Sequence, residues 1–290
     1  MSLSSAATEL ARAPGVIGAI DIGGTKIAAG LVSRSGRLRA SRTWPTAPER
    51  GFEAALTQMV AALREAQTEI GEEIIGIGIG STGPVDPFRG TIGEVALLPG
   101  WRGAPIVARL AAEFGVNVAL ENDADAAALA EALWGVGRSA ECLLYVTIST
   151  GIGVGIVRRG ELYRGAAGAH PELGHMSLGA SAPTKCYCGQ SGCWESLASG
   201  SALEAWYAAD AGVAGERVRA KEIFVRASAG DAVALHAVER EAHYLGLGLA
   251  NLITSFCPDV IALGGGMMRD AAAFLPQASA LAQRLASQVP

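Results

Sequence analysis

The sequence predicts an α/β protein built from two related lobes. Short apolar runs that end in glycine turns alternate with stretches of helical spacing, the pattern of strands followed by helices. The segment GAIDIGGTKIAAG (18–30) has a counterpart in YVTISTGIGVGIV (145–157), each reading strand, glycine turn, strand. Half of the 290 residues are hydrophobic and only 18% are charged, so a large core forms and global disorder is excluded. The expected division is a first lobe over 1–118 and a second over 119–290.

The elements follow in order. GVIGAID is an apolar strand ending at Asp21, IGGT turns the chain, and KIAAGLV leads out as a second strand. GRLRASRTW is a third strand. FEAALTQMVAALREAQTEI has helical spacing, with Phe52, Leu56, Met59, Val60 and Leu63 on one face. IIGIGIG is a buried strand followed by the STGPVDP loop, APIVARLAAEF is a helix, and VNVALEN is a strand that delivers Glu121, Asn122 and Asp123 at its end. The second half repeats the logic. DADAAALAEALWG is a helix, ECLLYVTI a strand, STGIG a tight turn and VGIVRRG the returning strand. A polar loop and several helices come next, the longest from about Asp231 to Phe256. DVIALGG is a late strand, GGM a turn, and a last helix runs toward the C-terminus.

Charge and composition remove several function classes. The net charge is −5 and no Lys/Arg run stands out, so nothing favours nucleic acid or an anionic membrane as partner. No apolar run is long enough to span a bilayer. The leader MSLSSAATELARAP lacks the basic start and apolar stretch of a signal peptide and reads as disordered or loosely helical. A cytoplasmic location is expected. In that reducing setting, clustered Cys point to metal more than to disulfides.

Two glycine turns suggest a phosphate site. Glycines there permit positive φ and let backbone N–H groups approach an anion closely. Two such hairpins facing each other would hold a polyphosphate from both sides, and the run Gly264, Gly265, Gly266 supports this over ordinary hairpins. Asp21 beside the first turn would repel a phosphate unless it held Mg²⁺, directly or through water. Thr25 supplies a hydroxyl. Lys26 is either a charge near the phosphates or a solvated strand residue. Asn122 and Asp123, between strand and helix, are either a helix cap or a general base at a cleft. Asp125 reads as a solvated or capping residue. Asp86 either approaches a ligand or stabilises its own turn.

The densest chemistry is in PELGHMSLGASAPTKCYCGQSGCWES. His175, Cys186, Cys188 and Cys193 fill a tetrahedral zinc shell and leave no position for water, the composition of a structural site. Glu172 and Glu195 bracket it. Carboxylates suit vicinal hydroxyls because each accepts two hydrogen bonds in one plane. His170 reads as a loop hydrogen-bonder. His236 and His243 read as packing or surface residues, and Cys142 and Cys257 as buried thiols.

Taken together, these residues resemble the ROK family of bacterial sugar kinases and repressors. DIGGTK (Asp21–Lys26) is similar to its first phosphate motif, ENDADAAALAE (Glu121–Glu131) to the segment with the catalytic Asp, and TISTGIGVGI (Thr147–Ile156) to the second phosphate motif. STGPVD, PELGHM and CYCGQSGCWE stand where the family has its Pro-Gly turn, its Gly-Glu-x-Gly-His segment, with Pro171 in place of the first Gly, and its zinc signature. The match runs from about Gly18 to about Met267.

The resemblance implies an actin-like ATPase fold, with two RNase H-like lobes around a cleft. It implies an ATP-dependent hexose kinase acting on the 6-hydroxyl, glucose first, with Mg²⁺ and a structural Zn²⁺, as a homodimer. Asp123 becomes the catalytic base, and Asn122, Glu172, His175 and Glu195 hold the sugar. Asp21, Gly23, Gly24, Thr25, Lys26, Thr150, Gly151, Gly153, Gly264 and Gly265 hold the nucleotide.

Two features depart from the family pattern. His170-Pro171-Glu172 resembles fructokinase-like members, while Asn122-Asp123 and the full Cys motif resemble glucokinase and N-acetylhexosamine kinase members. The family also continues past the last helix, whereas this chain stops at Pro290, so an exposed edge and weaker lobe closure are expected. Repressors of the family carry an N-terminal DNA-binding domain. With the phosphate motif starting at Asp21, no such domain is expected. A sugar-binding pseudokinase is the remaining alternative.

Overall fold

The computed structural model describes residues 15–179, 185–212 and 218–289, so the leader and part of the polar loop lie outside the described residues. The chain forms two compact units. The first holds residues up to Ser139 together with Val157–His170, and the second holds Ala140–Ile156 together with the residues from Pro171 onward.

The first unit starts as a meander. β1 (Val16–Ile22), β2 (Lys26–Val32) and β3 (Leu38–Pro45) are joined by short turns and pair antiparallel. After α1 (Phe52–Ile70), β4 (Ile74–Ser81) returns parallel to β1. A two-residue ladder, β5 (Val85–Asp86) with β6 (Thr91–Ile92), interrupts what reads in sequence as one loop. Then come α2 (Ile106–Phe114), β7 (Val118–Asn122) parallel to β4, and α3 (Asp123–Leu133). The sheet order is β3-β2-β1-β4-β7. Hairpin turns impose antiparallel pairing, and helical crossovers permit parallel pairing. Leu56, Met59 and Leu63 of α1 are buried with Ile20, Ile22 and Ile79 of the sheet. Gly71 ends α1 at φ 70°, the left-handed cap that glycine takes at little cost.

The second sheet repeats the plan. β8 (Cys142–Ile148), β9 (Ile152–Arg158) and β10 (Glu161–Leu162) form another meander. The helices α4 (Trp194–Leu197), α5 (Gly200–Asp210), α6 (Ala220–Ser228) and α7 (Ala232–Phe256) precede β11 (Val260–Gly264). β11 joins parallel to β8, giving the order β10-β9-β8-β11, and α8 (Leu275–Leu285) closes the described chain. Leu144, Val146, Trp194, Leu245 and Phe274 belong to the core of the second unit. The internal repeat read from the two glycine hairpins is therefore a repeat of strand order.

The division at 118/119 is corrected. β7 is the fifth strand of the first sheet, so the strand that delivers Asp123 belongs to the first unit, and the change of unit comes after α3. Helical spacing located the elements, but it carries no information about which sheet a strand joins.

One buried group is a stability liability. Glu241 on α7 is 2% exposed, and neither carboxyl oxygen has a hydrogen-bond partner among the described residues. Burial raises its pKa well above the usual range, with the Arg240 charge opposing. A raised folded-state pKa means that the unfolded chain ionises first. Stability is thus fully present below the unfolded value and declines as pH rises above it. Glu241→Met removes an unpaired carboxyl and is expected to raise stability by about 1–3 kcal/mol at pH 8, with little gain at pH 4. Thermal unfolding at both pH values checks this.

Candidate active site

The first glycine turn joins β1 to β2. Gly23 N–H donates to the Lys26 carbonyl at 2.9 Å and closes the turn. Asp21 is the last residue but one of β1 beside it and is paired in register with Gly80 of β4. The surrounding protein raises the Asp21 carboxyl above its usual value, and the Lys26 ammonium opposes that.

A residue without any motif fixes this turn. Thr46, 2% exposed, donates its hydroxyl to the Gly23 carbonyl at 2.6 Å and its N–H to the Thr25 carbonyl at 3.1 Å. In a trans peptide the C=O and N–H point opposite ways. Both carbonyls turn onto Thr46, so the Gly24 and Lys26 amides turn away from it. That is the orientation an anion-binding turn needs.

Asn122 is the cap of α3. Its Oδ1 accepts from Ala124 N–H at 2.9 Å and Asp125 N–H at 3.4 Å, and its Nδ2 donates to the Gly83 carbonyl at 3.2 Å. Asp123 is the first helical residue, at the carboxyl end of a parallel strand, where open α/β sheets place ligands. Burial pushes its pKa up to about 6. The Ala124 N–H bond opposes this, the Asp21 charge adds to it, and His170 again lowers it. A base near pH 6 is ionised at neutral pH and still holds a proton well.

Asp125, expected to be a solvated or capping residue, is buried. It is 1% exposed, with Oδ2 2.9 Å from His170 Nδ1. Glu121, two residues before Asp123, makes a two-pronged ion pair with Arg164. The strand and helix around Asp123 are thus stitched to the 164–170 segment on both sides.

The second turn lies between β8 and β9, where Ser149 N–H donates to the Gly151 carbonyl at 2.9 Å. Thr150 and Gly151 occupy the turn, and Gly153 is the second residue of β9. Gly200 N–H, at the start of α5, donates to the Ser149 carbonyl at 2.8 Å. Gly265, at φ 93°, passes so close to this turn that an added Cβ would lie 2.4 Å from the Ile148 carbonyl oxygen. The second turn, the Gly264–Gly266 run and a helix N-terminus therefore converge, a combination suited to an anion.

The four expected metal ligands come together, with their ligand atoms within 4.8 Å of one another. Cys188 Sγ and Cys193 Sγ are 3.6 Å apart, and Cys186 Sγ lies 3.4 Å from His175 Nδ1. Tetrahedral zinc with ordinary bond lengths requires about 3.8 and 3.5 Å for these separations. The donor set and spacing fit zinc.

Glu195 follows the last Cys by two residues. Its Oε2 accepts from Ile152 N–H of the second turn at 3.2 Å, and its Oε1 lies 3.8 Å from His175 Nδ1. Glu172 is exposed and starts the short helical turn Leu173–His175, where His175 N–H donates to its carbonyl at 3.0 Å. Gly174 permits this approach, since a Cβ there would lie 2.1 Å from the Ile152 carbonyl oxygen. Trp194, fully buried between Cys193 and Glu195, fits against Gly248 of α7, where a Cβ would come within 2.0 Å of the indole.

Smaller points differ from the sequence reading or complete it. Asp86 accepts from Phe88 N–H and Arg89 N–H at 3.1 and 2.9 Å, so it stabilises its own turn. His236 pairs with Asp210 at the surface. Cys142 is half-buried and Cys257 is exposed, because Cys257 is the left-handed cap of α7 at φ 44° rather than a core residue.

The ROK family model matches residues 17–290. The chain belongs to the ROK family. This ROK protein is 34% identical over 264 residues to the glucokinase of Streptomyces coelicolor, covering 86% of this chain and 81% of that one. The ROK hexokinase of Thermus thermophilus superimposes with a TM-score of 0.82 at 38% identity, covering 95% of this chain and 90% of the other. A ROK family glucokinase from Streptomyces griseus, solved with glucose and AMPPNP, gives 0.81 at 32%, covering 94% and 90%. The actin-like ATPase fold expected from the sequence is thus the fold of this ROK protein, and it is an ATP-dependent sugar kinase by kinship.

Proposed function

We propose that this protein phosphorylates glucose on its 6-hydroxyl with ATP. The observation that carries the reading is Asp123: a carboxylate at a strand end, one residue beyond the last paired residue of β7 in the sheet that also carries Asp21, and titrating near pH 6. In this reading Asp123 takes the proton of the sugar hydroxyl. Glu172, His175 and Glu195 orient the sugar, and Asn122 fixes the start of α3 so that Asp123 keeps its aim. The amides of Gly24, Thr25 and Lys26, and of Thr150 and Gly151, hold the phosphates, with the Gly23 amide closing the first turn and Gly264 and Gly265 leaving room for the nucleotide. Mg²⁺ at Asp21 would neutralise phosphate charge, the main catalytic need in phosphoryl transfer. Zn²⁺ on His175, Cys186, Cys188 and Cys193 would hold the loop rather than react. The protein acts in the cytoplasm as a homodimer, without nucleic acid or membrane. No described helix is long and apolar enough to cross a membrane.

The His170-Pro171-Glu172 segment favours a second acceptor, fructose, within the same chemistry. ADP release against a panel of glucose, fructose, mannose, N-acetylglucosamine and N-acetylmannosamine decides this, with Asp123→Asn as control. Highest kcat/KM for glucose is expected. ADP release that ignores the sugar, or that survives the Asn substitution, overturns the reading.

Thr46 enters here as a positioning residue. Thr46→Val keeps the shape and removes one hydrogen bond, so the KM for ATP rises roughly fivefold to tenfold while the glucose KM stays nearly constant. Thr46→Ser is expected to restore the KM for ATP. Separate titrations of the two substrates check the split.

A further inference from the structure

Tyr187 sits between two of the metal ligands, Cys186 and Cys188, and its side chain is 77% exposed. Its hydroxyl lies 3.1 Å from His175 Nε2, and the two rings meet edge to face with centroids 5.1 Å apart. His175 has only two ring nitrogens, and Nδ1 faces the thiols. Nε2 is therefore the one polar atom that His175 can offer to a substrate, and the phenol engages it.

The Tyr187 hydroxyl thus stands against His175. A phenol O–H donates and accepts hydrogen bonds much as an alcohol does. The chain presents its own hydroxyl to a group that suits a sugar hydroxyl. The tie is also easily released, since an exposed ring on a turn gives up one hydrogen bond and one ring-edge contact when it swings aside.

We propose that Tyr187 is a gate on the hexose site: its hydroxyl and a sugar hydroxyl compete for His175 Nε2. This rests on the reading of Glu172, His175 and Glu195 as the sugar-binding group. Competition weakens the binding of every hexose by about the worth of one hydrogen bond, and it penalises most those that gain least from His175. Tyr187 is then a specificity-determining residue rather than a catalytic one.

Tyr187→Phe removes the hydroxyl and keeps the ring. Calorimetry of glucose binding to the zinc-loaded protein, without nucleotide, is expected to show affinity rising roughly threefold to tenfold. The glucose KM should fall to match, with kcat unchanged and zinc content still one per chain. Tyr187→Ala should move in the same direction. Unchanged glucose affinity in Tyr187→Phe overturns the gate and leaves Tyr187 as a loop-packing residue. Weaker affinity overturns it in favour of a direct sugar contact. If the wild-type chain binds no hexose of the panel, the sugar-site reading fails and the gate falls with it. Tight wild-type binding that Tyr187→Phe does not improve removes the gate alone.

Discussion

Asp123→Asn lowers kcat by roughly 10²–10⁴-fold, with the fold and both substrate affinities kept. The substitution is close to a pure removal of charge. Asp123 Oδ1 accepts from Ala124 N–H at 2.9 Å, and an Asn oxygen takes the same bond. The Asn122 cap supports α3 independently. In the wild-type enzyme, kcat/KM should be level above about pH 7 and fall with acid. Burial has moved the Asp123 pKa to about 6, so the base is already half protonated there. The direction follows from the chemistry: the reaction needs the ionised form, a raised pKa narrows the pH range that supplies it, and activity is lost as pH falls. The Asn variant, whose residual rate has no such base, should lack this acid limb. A pH–rate profile for both proteins checks the prediction. An acid limb that survives in Asp123→Asn assigns the titration to another group.

Cys188→Ala has the largest expected effect on stability. Cys188 is exposed, so its truncation leaves no cavity in the core, and the loss reports on the metal. Zinc binding in sites of this kind stabilises folding by something on the order of 10 kcal/mol. The variant is expected to purify without its one zinc per chain and to melt early. The sugar KM should rise about 10- to 100-fold, as when the support of a binding residue is removed, before the KM for ATP changes. The order follows from the geometry. His175 is itself one of the four proposed ligands, whereas the turn between β8 and β9 keeps its backbone bonds, Ser149 to Gly151 and Gly200 to Ser149, without the metal. Elemental analysis, thermal unfolding and separate KM values check it. An early rise in the KM for ATP with sugar binding intact makes the loop a nucleotide element.

Much of this site was legible because its signals are local. The two hairpins announce themselves by apolar runs broken at glycine, and the metal loop by four soft ligands within nineteen residues, His175 to Cys193. What could not be read depends on partners far along the chain. Thr46 looks like any residue after a strand, and its role exists only because β3 returns it beside Gly23. Asp123 and Asp125 are both acids in the first turn of one helix. Only the approach of His170, forty-five residues later, makes the second a buried ion-pair partner. β7 reads equally well as the last strand of one unit or the first of the next until its pairing with β4 is seen. Tyr187 carried no signal because the residue between two ligands is usually a spacer.

Glu195 carries one further consequence. One of its oxygens holds an amide of the second phosphate turn, and the other faces the metal-side nitrogen of His175. In the proposed reading a single carboxylate thus spans the two subsites of its unit. Any sugar that tightens this group also changes the free energy of the turn, and by thermodynamic reciprocity the nucleotide returns the same factor to the sugar. Measured as a ratio of affinities, the coupling should have the same size from either direction, and Glu195→Gln should shrink both numbers together.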